Sequence, residues 1–205
     1  MPKIVNHELK KIEIAEAAWK IIVQEGLENA SVRKIAKETG MSVGSLRHYF
    51  PSQSDLLLFS MELVSERVKK RWFAKHIRKG PLETLLELTC EVLPLDEERR
   101  VETEVWLVFS TKALVDGQLQ QLSRQVFEDL HRGFEMLLRK MHDEGILRDG
   151  LRLDLEVKRL HALVDGMAMH HLLHPDKLTA REMEDILLEH MRPSFNSHGE
   201  APSCP

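Results

Sequence analysis

Cysteine is almost missing from this sequence: two residues, Cys90 and Cys204, among 205. They form no spacing motif, which argues against a disulfide framework or a zinc site. Aromatic residues are scarce at 5%, with a single tyrosine. No apolar run approaches the roughly 20 residues needed to cross a bilayer. Met1 to Lys11 carries no signal-peptide core, so a cytoplasmic protein with no membrane partner is expected. Val, Ile and Thr nowhere alternate at length with polar residues, which disfavours a sheet. No Ser-His-Asp arrangement, phosphate loop or nucleotide fingerprint occurs, so neither an enzyme nor a cofactor is expected.

What is present points to helices. Hydrophobic residues make up 42% and charged residues 30%, enough for a core and a polar exterior. The length allows one or two domains. The charge is divided: residues 1–80 hold fifteen Lys and Arg against nine Asp and Glu, and residues 81–205 hold fourteen against twenty-four. A basic head on an acidic body suggests that one end faces a polyanion.

Punctuation by Gly and Pro predicts an all-α fold of about nine helices. The first, Asn6 to Glu25, carries the stripe Leu9, Ile12, Ala15, Trp19 and Ile22. Ser31 caps Val32–Thr39, and Ser42 caps Val43–Tyr49. Ser52 and Asp55 form a capping box for a helix running to Lys79. The others are Leu82–Leu93, Glu97–Val115, Gln118–Glu144, Leu155–Leu173 and Ala180–Arg192, the last with a Thr179–Glu182 capping box. Residues 1–52 read as a three-helix head, 53–192 as a helical bundle, and 193–205 as a disordered tail.

The head has the spacing of a helix-turn-helix. Ala36 is the small residue where two helices cross, Gly40 permits the turn, and Leu46 points back at the first helix. With Ala18 through Gly26 before it and Tyr49-Phe50-Pro51-Ser52 after it, this string resembles the TetR/AcrR family of bacterial regulators. The Gly44-Ser45-Leu46-Arg47-His48-Tyr49-Phe50 segment is most similar to the branch containing the betaine regulator BetI. Two positions depart from the family pattern. Arg47 stands where most members carry an aromatic. Gln53 stands where most carry a lysine that contacts phosphate.

The resemblance implies a dimeric, ligand-controlled repressor that binds double-stranded DNA at a near-palindromic operator. Val43, Gly44 and Ser45, at the start of the recognition helix, are expected at base edges. Arg47 is the candidate for direct readout, because a guanidinium can donate twice to guanine; a surface salt bridge is its other reading. Ser31, Arg33, Ser42, His48 and Tyr49 are expected on phosphates, with Lys34 and Lys37 adding attraction. His48 could instead be simply solvated, and Tyr49 a core aromatic. An activator of the same fold and a non-specific DNA-binding protein are the alternatives, the acidic body arguing against the second.

In the body, Trp106 and Phe109, with Met136 and Met167, are the candidate lining of a pocket for an unknown small-molecule effector; ordinary core is the alternative. Leu160, Val164, Met167 and His171, then Met183, Ile186, Leu187 and His190, form apolar stripes that the resemblance assigns to a homodimer interface. Packing within one protomer is the other account. His170 and His174 have an i, i+4 spacing that can chelate a metal. No Cys or His set follows, so histidines near a helix C-terminus are expected and no metal.

Overall fold

The computed structural model describes residues 7–75 and 80–196. Among them are nine α-helices: α1 (His7–Glu25), α2 (Val32–Glu38), α3 (Val43–Tyr49), α4 (Gln53–Ala74), α5 (Pro81–Cys90), α6 (Glu97–Ala113), α7 (Gly117–Asp143), α8 (Leu153–Leu173) and α9 (Ala180–Met191). The all-α expectation holds. The predicted stretch of the fourth helix over 76–79 lies outside the described residues.

Local chemistry sets these boundaries. Both capping boxes form. Ser52 Oγ accepts from the Asp55 amide at 3.1 Å while Asp55 Oδ2 accepts from the Ser52 amide at 2.9 Å. Thr179 and Glu182 exchange the same pair of bonds. Pro81 opens α5, where its missing N–H has no helical partner to lose. The expected tail from Pro193 needs correction. Arg192–Ser194 forms a 3-10 turn, Phe195 bridges Leu147, and Asn196 Nδ2 donates to the carbonyls of Gly145 (2.9 Å) and Leu147 (3.1 Å). An aromatic with a core to join and a side-chain amide with two carbonyls to cap order these residues. Residues 197–205 lie outside the description.

By packing, the chain divides into two compact units. One comprises residues 1–67 and 101–124, the other 68–100 and 125–205. In the first, Ile14, Ala18, Trp19, Ile22, Ile35, Leu46 and Phe50 are buried. Arg67 is its hub: its guanidinium lies 5.0 Å from the Trp19 ring, pairs with Glu16, and faces the buried carboxylate of Glu102 at 3.9 Å. One cation thus ties α1, α4 and α6 together. Ser54 Oγ donates to Asp116 Oδ2 at 3.1 Å, linking the first turn of α4 to the residue that caps α7.

The second unit is built on Leu85, Phe134, Leu138, Met141, Leu160, Val164, Met167, Met183 and Leu187. It also holds the buried Glu91, which binds Arg71 at 2.9 Å and Lys75 at 2.7 Å.

Candidate nucleic-acid interface

The helix-turn-helix is built by short-range bonds. Ser31 Oγ accepts from the Lys34 amide (3.4 Å) and Ser42 Oγ from the Ser45 amide (3.0 Å). A hydroxyl that accepts once still has its proton to donate, so each cap can also serve a phosphate. Between the helices, Gly40 adopts φ +65° and the Met41 amide donates to Ala36 O at 2.8 Å, a Schellman stop that turns the chain sharply. α3 has only seven residues and is held by burial of Leu46 and Phe50.

That anchoring turns one face of α3 outward. Ser42, Gly44, Ser45, Arg47 and His48 are exposed, and Val43 and Tyr49 are half-buried. Phe50, not Tyr49, is the core aromatic. Among the described residues no ion pair engages Arg47, Arg33 or Lys37, which leaves three exposed cations for an anion. Lys34 pairs with Glu25, and Lys20 holds Glu38, whose carboxyl it keeps below its usual range chiefly through their hydrogen bond. Gln53 Nε2 donates to Ala30 O at 3.2 Å. The Gln53 amide therefore braces the loop before α2.

Residues 14–58 match the tetR family of bacterial regulatory proteins, and residues 81–193 match the C-terminal domain of BetI-type transcriptional repressors. The chain belongs to the TetR family. The HTH-type transcriptional regulator PksA of Bacillus subtilis is 36% identical over 192 residues, covering 93% of this chain and 92% of that protein. BetI of Vibrio campbellii is 23% identical over 196 residues, covering 93% and 94%. A transcriptional regulator from Saccharomonospora viridis, solved in complex with choline, superposes with a TM-score of 0.84 at 25% identity over 92% of this chain and 98% of that one. The protein is accordingly a helix-turn-helix transcriptional regulator of the TetR family.

The body residues expected to form sites distribute differently. Five of the eight interface candidates, Leu160, Val164, Met167, Met183 and Leu187, are buried in the protomer's own core and cannot meet a second copy. The cause is that α8 is apolar on two opposite faces. Helical spacing reveals a stripe but not what covers it. Ile186 stays 38% exposed. His190 is half-buried, and His171 is half-buried and donates Nδ1–H to Leu178 O at 2.7 Å.

Of the pocket candidates, Phe109 and Met167 are core. Met136 is 63% exposed because it lies about 200° around α7 from Phe134 and from Leu138, which face inward. Trp106 is half-buried. One small apolar cleft, of about 20 Å³, runs between Leu138, Leu147, Leu160 and Phe195 and includes none of the four.

Sequence reasoning missed the histidine pair between α7 and α8. His161 is buried. Its Nδ1 faces His131 Nδ1 at 3.5 Å, its Nε2 faces Asp165 at 3.7 Å, and its ring stacks on Phe127 at 4.5 Å. Burial, then the charge of His131, pushes the His161 pKa down to about 4, and burial pushes Asp165 up to about 6. His170 and His174, the i, i+4 pair of the sequence, are exposed. The His161 partners His131 and Phe127 lie thirty or more residues earlier, where no local pattern could signal them. The contact between His7 and Tyr49 was equally invisible: their rings lie 4.7 Å apart at 29°.

Proposed function

We propose that the protein is a homodimeric repressor. On this reading residues 1–52 hold a near-palindromic operator and residues 53–192 release it when a small effector binds. The observation that carries it is the outward face of α3. There two small residues, Gly44 and Ser45, stand beside Arg47, which has no ion-pair partner among the described residues. Val43, Gly44 and Ser45 meet base edges and Arg47 reads guanine. Ser31, Arg33, Ser42, His48 and Tyr49 hold phosphates, and Lys34 and Lys37 steer the approach.

Two copies are needed to read two half-sites about 34–36 Å apart or a multiple of that. The outer face of α8 supports the dimer. Leu155, Ala162, Gly166, Met169 and Leu173 line it at helical spacing, with Leu155 and Met169 each 39% exposed and Leu173 57%. A C2 pairing can cover this stripe with its own copy, and Ile186 of α9 adds to it. The choline bound by the Saccharomonospora relative makes choline the first effector to test, with Trp106 as the lining residue to mutate. A cytoplasmic location fits: no described helix is long and apolar enough to cross a membrane.

The test is anisotropy on the chain's own upstream DNA and on random DNA at physiological salt. The parent protein prefers its own site, Arg47→Ala loses about 1–3 kcal/mol of that preference, and Tyr49→Phe weakens both DNAs equally. Equal binding of both DNAs by the parent protein refutes the proposal.

A further inference from the structure

The residue that faces the end of the recognition helix comes from the opposite end of the head. His7 opens α1 and Tyr49 closes α3, yet their rings are stacked, with centroids 4.7 Å apart and planes at 29°. His48 stands edge-on to both, 6.3 Å from His7 at 86° and 5.8 Å from Tyr49 at 80°. A short helix frays in its last turn. Burial of Phe50 fixes the backbone there, but it does not fix the half-buried Tyr49 side chain beside it.

The Tyr49 hydroxyl has no hydrogen-bond partner among the described residues. Its ring is therefore held by its face and not by its polar end, and the hydroxyl keeps its proton for an acceptor outside the protein. His7 is itself poorly placed to bind phosphate. One face is covered by Tyr49, and its Nδ1 lies 3.8 Å from the Glu8 carboxylate, which repels an anion.

We propose that His7 is a positioning residue for DNA binding: its ring holds Tyr49 in the orientation that presents the hydroxyl to the DNA backbone. The inference rests on the reading that Tyr49 faces DNA. Without the stack, each protomer must order the Tyr49 side chain on binding, and affinity falls.

The experiment measures DNA affinity of the full-length protein for four variants: His7→Ala, His7→Phe, Tyr49→Phe and the double variant His7→Ala/Tyr49→Phe. The expected loss for His7→Ala is about 3- to 10-fold, equal on operator and random DNA. His7→Phe restores the stack and binds within about twofold of the parent. In the Tyr49→Phe background His7→Ala adds no further loss, because the hydroxyl it positions is gone.

The proposal is overturned if His7→Ala binds like the parent, if its loss persists undiminished in the Tyr49→Phe background, or if His7→Phe fails to restore binding. In each of these cases a loss caused by Tyr49→Phe alone leaves the reading of Tyr49 standing. If Tyr49→Phe leaves affinity unchanged, that underlying reading fails and takes this one with it.

Discussion

Gly44 occupies the second position of a seven-residue helix, where glycine is less stable than alanine by about 1 kcal/mol. Nothing among the described residues calls for it. Its backbone is not left-handed, and a Cβ built there meets only Ser42 Oγ, at an ordinary 3.9 Å. On the proposed reading its use lies in what approaches from outside. Gly44→Ala is expected to raise the melting temperature by about 2–4 °C while lowering operator affinity at least about tenfold. Thermal unfolding and anisotropy on one preparation check both, and unchanged affinity places Gly44 away from the DNA. At this scale the local framework of the candidate site is legible in the sequence. Ser31, Gly40, Ser42 and Leu46 each act on neighbours a few residues away, so their chemistry shows in their spacing. His7 and Gln53 are not legible, because their partners Tyr49 and Ala30 are near only after folding.

Among the elements, α8 shows where periodicity stops being informative. Leu160, Val164 and Met167 form one stripe, and Leu155, Met169 and Leu173 form another on the opposite side. Both have helical spacing, and the sequence does not say which is covered by α7 and α9. The junction of α7 and α8 also sets a pH response. In the unfolded chain His161 protonates near 6.5, and in the fold only near about 4. Between these values the unfolded state binds more protons, so stability falls as pH is lowered. Asp165 acts in reverse. The fold keeps its proton up to about 6, the unfolded chain only to 3.8, so lowering the pH through that interval favours the fold. The two slopes offset each other while both groups are present. Asp165→Asn removes the compensation, leaving a loss of up to about 3 kcal/mol between pH 6.5 and 4 from His161. Urea midpoints at pH 7 and pH 5 report it: the variant's midpoint drops toward acid more steeply than the parent's. Parallel profiles contradict the pairing.

On the scale of the molecule, the uneven charge seen in the sequence has a structural counterpart in the exposed Arg33, Lys37 and Arg47 of the head. The proposed assembly is tested at the outer face of α8. Met169→Glu places a charge on the two-fold stripe, where it meets its own copy. Light scattering is expected to show a monomer with unchanged helical content and weakened operator binding. A variant that stays dimeric moves the interface elsewhere.

The Arg67 hub has a further consequence, in the order of synthesis. The unit that contains the recognition helix is discontinuous: residues 1–67 are completed by 101–124. During synthesis Arg67 is added before Glu102, and the whole of 68–100 is translated before the two can meet. A nascent chain that already contains all of α3 and the Glu16 partner of Arg67 thus still lacks the second carboxylate, Glu102, that faces this cation. The unit that carries α3 is therefore complete only once 101–124 has been made.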